Sequence, residues 1–234
     1  MNKLLAVTGG TKGIGRAIIE RFAKAGFDIV TCARKEVDLT QLKSVIEGSF
    51  GVKVYSFKAD MAIKEEVSLF ADFVKSIQQP LDVLVNNAGY FIPGSVLDEA
   101  DGALESMINS NVFSAYYMSR ALVPDMKALR HGHIFNMCSI ASIKAYPNGG
   151  SYAISKFALL GFSKVLREEL KEFGVRVTAI LPGATRTASW DGVDLPDDRF
   201  MKAEDVADTV FAAYALSDRS VVEEIIIRPQ LGDI

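Results

Sequence analysis

Short runs rich in valine, isoleucine and leucine alternate along this chain with longer amphipathic segments. The runs fall at residues 4–8, 29–33, 52–57, 83–86, 134–137, 175–181 and 221–227. Several are apolar on consecutive residues rather than alternate ones, which predicts strands buried on both faces, as in a parallel sheet covered by helices. Helical periodicity occupies residues 13–25, 39–49, 64–77, 103–129, 152–173 and 203–215. Turn signals separate the two kinds of segment at Ala25-Gly26, Gly48 to Gly51, Gln79-Pro80, His131-Gly132 and Phe173-Gly174. Seven strands alternating with six helices predict an α/β fold with one doubly wound parallel sheet flanked by helices. The one long irregular stretch, residues 182–202, contains Trp190 and Pro196, and a loop of that size in a compact domain is more often functional than idle.

Composition narrows the picture. A chain of 234 residues suits one α/β domain and is short for two, so residues 1–234 are expected to form a single domain. Hydrophobic residues make up 49%, enough for a sizeable core. The net charge is −3 without a basic stripe, which removes electrostatic support for nucleic-acid binding. Cys32 and Cys138 are too few for a disulfide framework and read as small apolar residues of a reducing compartment. Thr8-Gly9-Gly10 interrupts the apolar opening, so a secretory leader is not expected, and no apolar stretch is long enough for a membrane span. A cytoplasmic protein without membrane partners is expected.

Candidate chemistry begins at Thr8-Gly9-Gly10-Thr11-Lys12-Gly13-Ile14-Gly15, directly between the first predicted strand and the first helix. Glycines there permit a sharp turn and bring backbone N–H groups close to a ligand, and the helix N-terminus adds partial positive charge suited to a pyrophosphate. The position after a strand and before a helix raises this above an ordinary glycine-rich turn. It predicts a Rossmann-type nucleotide site, although Gly-x-x-x-Gly-x-Gly differs from the Gly-x-Gly-x-x-Gly fingerprint. At the end of the second strand a carboxylate would favour NAD, but this strand ends in Ala33 and continues to Arg34. Arg34, with Lys12 nearby, matches a 2′-phosphate, so NADP(H) is the expected cofactor; solvated loop cations are the plain alternative. Asp60, followed by Met61 after the third strand, is expected to receive the adenine amino group.

Tyr152-Ala153-Ile154-Ser155-Lys156 opens a predicted helix, with Tyr152 and Lys156 one turn apart on a shared face. A neighbouring ammonium is expected to pull the tyrosine pKa down from about 10 toward the working range. Such a pair alone usually means packing. Ser139, just past the fifth strand at the carboxyl edge of the sheet, adds a hydroxyl that can hold a carbonyl oxygen beside the tyrosine. Asn86-Asn87-Ala88-Gly89 closes the fourth strand at the same edge. Asn111 lies inside a long helix, where an amide is a weak helix former; it reads either as a satisfied buried amide or as the holder of a water behind Lys156.

With these motifs in order, the chain resembles the short-chain dehydrogenase/reductase family over nearly its whole length. The likeness rests on residues 8–15, Asn86-Asn87-Ala88-Gly89, Asn111, Ser139, Tyr152 to Lys156, and Pro182-Gly183. It implies a catalytic set of Asn111, Ser139, Tyr152 and Lys156, with no metal. It also implies that Lys156 binds the nicotinamide ribose and that Asn87, with Ala88 and Gly89, lies near the adenosine side. Residues after Pro182-Gly183, chiefly Thr185 and Thr187, would meet the carboxamide. The implied reaction is reduction of a carbonyl by NADPH hydride with Tyr152 donating the proton, or its reverse. Family members usually pair through two long helices, here residues 103–129 and 152–173, which implies a homodimer or homotetramer.

The substrate is less legible. The paired-glycine ending usual in the family's fatty-acid ketoreductases is absent, which disfavours 3-oxoacyl thioesters. The tail and the Trp190 region are similar to bacterial sepiapterin reductase-like members, which implies a small carbonyl such as a pterin side-chain ketone. A C-terminal carboxylate, Glu223, Glu224 or Asp233, would then grip the ring, and Tyr90, Phe91, Tyr146 and Trp190 would line a flat apolar pocket. Any of these charges can equally be a solvated surface group. A non-catalytic NADP(H) sensor is the alternative of another class, disfavoured by the intact Ser139, Tyr152 and Lys156.

Overall fold

The computed structural model describes residues 2–187, 190, 192 and 194–234. Ala188, Ser189, Asp191 and Val193, all within the predicted loop, lie outside the described residues, as does Met1. Strands β1 (Leu4–Thr8), β2 (Asp28–Ala33), β3 (Val54–Lys58), β4 (Leu81–Asn86), β5 (His133–Met137), β6 (Arg176–Pro182) and β7 (Glu224–Ile227) form the sheet. Among the described residues it has seven strands, ordered β3-β2-β1-β4-β5-β6-β7, and every pairing is parallel.

The apolar runs explain both faces. Leu5, Val7, Ile29, Val83, Val85, Phe135 and Ile180 enter one core with helices α1 (Gly13–Ala23), α2 (Glu36–Phe50) and α7 (Ala203–Tyr214). Leu4, Ala6, Val30, Leu84, Ile134 and Val177 enter the other core. That face is covered by α3 (Lys64–Ser76), α5 (Ser114–Leu129) and α6 (Gly150–Leu170). Successive strand residues therefore face different helix layers, and both layers are apolar.

Some predicted boundaries need correction. Helix α2 starts at Glu36 rather than residue 39, because Glu36 and Asp38 supply acidic groups to its first turn. The predicted helix over residues 103–129 is α4 (Ala103–Ile108), a π turn at Asn109–Phe113, and then α5. Strand β7 is shorter than predicted. Its approach is fixed by a side chain instead, with the Thr178 hydroxyl donating to Val222 O at 2.6 Å.

Because parallel strands all end on one edge, the chain order reverses between β1 and β4, and their following loops part there. Ligands of open α/β sheets bind in that crevice. The opposite edge carries a different feature. His133 is fully buried, stacked on Phe135 at 4.0 Å, and its Nε2 lies 2.7 Å from the Thr178 hydroxyl oxygen. Since that hydroxyl donates to Val222, Nε2–H is the donor to it, leaving Nδ1 buried without a partner. Burial, assisted by the charge on Arg176, pulls the imidazole pKa down from 6.5 to about 2.

The folded pKa lies below the unfolded one, so this stabilisation is complete above pH 6.5 and is lost as pH falls toward 2. Urea unfolding at pH 7, 6 and 5 should show stability falling by about 1.4 kcal/mol per pH unit below pH 6.5. His133→Phe should flatten that slope, and an equally steep slope in the variant would refute the assignment.

Candidate active site

The glycine-rich turn follows β1 and enters α1. A side chain at Gly15 would put its Cβ 2.5 Å from Asn87 Nδ2 and 2.6 Å from Gly9 O, so only glycine permits this close approach. Gly13 has φ of +53°, and Thr187 Cγ2 lies 3.1 Å from where its Cβ would be. The α1 N-terminus has no acidic residue in its first turn and no side-chain cap from Lys12. Its first N–H groups thus form an electropositive end suited to a phosphate. Thr11 and Ile14 complete the turn, with Ile14 packing onto the core.

Beyond the end of β2, Arg34 is exposed and has no ion pair among the described residues. Lys12, in contrast, lies 3.2 Å from Asp38 in α2, so the sequence reading missed an acid beside the cation it assigned to a phosphate. Asp60 Oδ1 accepts from Ala62 N at 3.0 Å, fixing the turn into α3, and Met61 is buried behind it.

At the end of β4, the Thr8 hydroxyl oxygen accepts from Asn87 N at 3.0 Å and from Ala88 N at 2.9 Å. Asn87 Nδ2 donates back to Thr8 O and Gly9 O. Asn86 turns inward and donates to Asn136 Oδ1 at 2.8 Å. The glycine loop and the β4 end are thereby one hydrogen-bonded unit. Gly89 follows at a point where an added Cβ would meet Asn111 Oδ1 and approach Lys156 Nζ to 3.8 Å.

Asn111 sits in the π turn, a feature frequent at functional sites. Its carboxamide is committed: Oδ1 accepts from Tyr90 N at 3.0 Å, and Nδ2 donates to Tyr90 O and to Ser155 Oγ at 2.9 Å. Its protein partners alone satisfy both ends of the amide. Ser155 in turn donates to Tyr152 O, tying Asn111 to the turn that carries Tyr152.

Ser139 follows β5 and caps the short turn Ile140–Ser142, its oxygen accepting from Ala141 N at 3.1 Å. Tyr152 lies near enough for the Ser139 hydroxyl to ease ionisation of the phenol. Lys156 is buried and donates to Met137 O at 2.7 Å, and its Nζ lies 5.6 Å from the Tyr152 ring centre. Burial draws Lys156 down to about 8, against a smaller opposing effect of Cys138. The expected lowering of Tyr152 by Lys156 is not found. Burial raises the phenol above its ordinary value, the Ser139 hydroxyl opposes this, and Cys138 adds to the rise. Lys156 is directed to a main-chain carbonyl instead, so its charge does little for the phenolate.

Pro182 ends β6, and Gly183 N donates to Ile227 O at 2.8 Å. Thr185 is buried and donates to Gly183 O, and it bridges to Met201, closing the neck of the loop. Within that loop, Trp190 packs edge-on against Phe200 at 5.2 Å. Two of the three C-terminal carboxylates are taken away from the site. Glu223 and Glu224 face Arg167 and Lys164 of α6, more than two turns from Tyr152, because β7 begins level with Ala179. Asp233 alone returns to the catalytic edge, bound to Arg228 Nε at 2.9 Å and to Lys144 at 3.3 Å. Phe91 packs edge-on against the Tyr152 ring at 4.8 Å.

Sequence reasoning did not find Glu99, which accepts hydrogen bonds from Ser151 Oγ and Ser151 N at the start of α6. The signal was an uncapped helix start at Gly149-Gly150, which has to find its acceptor elsewhere.

Comparison with known proteins places the chain in a family. A model of the short chain dehydrogenase family matches residues 3–196. Sepiapterin reductase of Chlorobaculum tepidum is 33% identical over 100% of this chain and 99% of its own. A diacetyl reductase [(S)-acetoin forming] of Staphylococcus epidermidis is 32% identical over 83% of this chain and 76% of its own. The structure of L-sorbose reductase from Gluconobacter frateurii, complexed with NADPH and L-sorbose, superposes with a TM-score of 0.90 at 30% identity, covering 97% and 95% of the two chains. This chain therefore belongs to the short-chain dehydrogenase family.

Proposed function

We propose that this protein is an NADPH-dependent reductase of small ketones, with Tyr152 as the proton donor. The observation that carries the reading is the convergence of Ser139, Tyr152 and buried Lys156: Lys156 donates to the carbonyl of Met137, two residues before Ser139, at 2.7 Å, and its Nζ lies 5.6 Å from the Tyr152 ring centre. The residues at the sheet edge fit a dinucleotide: an uncapped α1 N-terminus for the pyrophosphate, a glycine approach at Gly15, and unpaired Arg34 for a 2′-phosphate. Lys12 can join Arg34 only by leaving Asp38, so Arg34 is assigned the larger share of that recognition. Asn87, Ala88, Asp60 and Met61 would line the adenosine side, and Thr185 and Thr187 the carboxamide side. NADPH, when bound, supplies the hydride.

The protein's own groups handle the oxygen and its proton. Ser139 donates to the substrate carbonyl oxygen and holds it beside Tyr152. The Tyr152 phenol, kept protonated by burial, donates its proton as charge develops on that oxygen. Lys156, held below its ordinary pKa, exchanges protons near neutrality and restores the phenol. Asn111 fixes the helix turn behind both through Ser155. A sensor without turnover would have no use for this arrangement.

For the substrate we propose sepiapterin or a related small ketone. Support comes from the full-length likeness to a sepiapterin reductase and from Asp233, the C-terminal carboxylate that reaches the catalytic edge. The likeness to a diacetyl reductase keeps small diketones as the second reading.

Tyr152→Phe should retain NADPH binding and lose turnover by roughly 10²- to 10⁴-fold. Near-normal turnover in that variant would end the mechanism. Because the phenol is raised, reduction should hold through neutral pH, whereas alcohol oxidation should climb as pH becomes alkaline; the reverse pair of profiles in stopped-rate assays would contradict it. Arg34→Ala should weaken NADPH far more than NADH in fluorescence titrations, and equal losses would remove the 2′-phosphate assignment. NADPH consumption with sepiapterin, diacetyl and a β-ketoacyl thioester tests the substrate. Fastest turnover on sepiapterin is expected, and bound NADPH with no turnover on any of them would favour the sensor.

A further inference from the structure

Helix α6 carries Tyr152 in its first turn, yet the sequence gives that turn little of its own to hold it. The N-cap is Gly149, which has no side chain to cap with, and no acidic residue lies in the first turn. Asn148 has φ of +60° and Gly150 of +31°, so the chain enters the helix through left-handed residues. Glycines are also the residues most easily displaced from one conformation. An external anchor is therefore needed if the phenol beside Ser139 is to keep one position.

The anchor comes from a segment 52 residues earlier. Glu99 accepts from Ser151 Oγ through Oε1 and from Ser151 N through Oε2 at 3.4 Å. Ser151 is 1% exposed, so its hydroxyl has little recourse to water. Gly94 N donates to Asn148 O at 3.0 Å, and the Gly94 carbonyl and Glu99 Oε2 occupy the space that a Cβ on Gly150 would need. Glu99 is itself set by its own N–H donating to Ser95 O at 2.8 Å. The same segment brings Phe91 against the Tyr152 ring, so one stretch of chain touches Tyr152 from the side and its helix from the end.

We propose that Glu99 is a positioning residue for the reaction: its clasp on Ser151 fixes the first turn of α6 and thereby the Tyr152 hydroxyl. The proposal rests on the reductase reading above. Glu99 touches neither Tyr152 nor Ser139 in any recorded hydrogen bond, and it acts through the helix. The carboxylate also meets the positive end of the α6 dipole, a favourable location for a negative group. Displacing a reacting group by a fraction of an ångström is costly to rate, whereas it leaves the glycine turn and Arg34, assigned to the pyrophosphate and the 2′-phosphate, untouched.

Two substitutions and one background test this. Glu99→Ala removes both acceptors, while Glu99→Gln keeps an oxygen for Ser151. Hydrogen exchange of the amides at 151–154 needs no substrate. Exchange should quicken in Glu99→Ala and stay close to the parent in Glu99→Gln; unchanged exchange in Glu99→Ala overturns the clasp. With the best ketone found, kcat per bound NADPH should fall about tenfold in Glu99→Ala. KM for NADPH should be unchanged, and the solvent isotope effect on kcat should rise because proton donation has become slower. In a Tyr152→Phe background, Glu99→Ala should cost nothing further, since the group it positions is gone. An equal loss in both backgrounds, or an unchanged kcat in the first, overturns the proposal. A parent protein that binds NADPH but turns over no ketone overturns the reductase reading and Glu99's role with it. A normal parent with an unaffected Glu99→Ala variant overturns Glu99 alone.

Discussion

The Thr8 hydroxyl is the small interaction on which the site's architecture depends. Its oxygen accepts from the consecutive N–H groups of Asn87 and Ala88, and Asn87 returns its amide to the carbonyls of Thr8 and Gly9. These bonds lie where the strand order reverses, the one place in a doubly wound sheet where successive loops diverge. Without them the β1 and β4 ends would have no reason to keep a common geometry past their last ladder bonds. With them, the glycine turn and the segment leading to Asn111 move as one body. The missing side chain at Gly15 belongs to the same constraint, because Asn87 occupies the volume a Cβ would take.

A second constraint sets the chemistry. Tyr152 and Lys156 lie on one helix face, but burial acts on them in opposite senses, raising the neutral acid and lowering the cation. Both shifts favour uncharged forms. In the mechanism proposed, the phenol then keeps its proton until charge develops on a neighbouring oxygen, and the amine exchanges a proton near neutrality. The Ser139 hydroxyl partly offsets the effect of burial on the phenol. Their proton affinities are pushed apart, the lysine below the phenol, so a proton passes downhill from the ammonium to a phenolate.

The fold was readable because its signal is redundant. The inner strands had to be buried on consecutive residues to face two helix layers, so 4–8 and 134–137 stood out without knowledge of their partners. The residues after each strand were readable too, since glycines and polar groups at a carboxyl edge interrupt that pattern. Interactions between distant segments were not readable. Nothing local in Asp38 marks it as the partner of Lys12, and nothing in Glu223 or Glu224 reveals that β7 starts level with Ala179 and carries them away from the site. The lowering of Tyr152 was misread for the same reason. Helical spacing puts Lys156 on the right face, but only the fold shows its ammonium directed to the Met137 carbonyl.

This division has a physical basis that bears on the family's range of substrates. The cofactor end is built on strand termini and short turns, where ladder bonds and a buried core leave little freedom. The substrate end is built from three separate pieces of chain, each fastened by a few side-chain contacts. Residues 90–99 are held by Glu99, the neck after Pro182 by Thr185 and Met201, and the tail by Asp233 with Arg228 and Lys144. None of these fastenings contributes to the sheet. Exchange of the neck or the tail fastening therefore costs little beyond its own loop, whereas Glu99 also holds the start of α6. On the reading proposed above, specificity resides in contacts that cost the core nothing to change, and two of them, Glu99 and Asp233, place a carboxylate beside the proposed site.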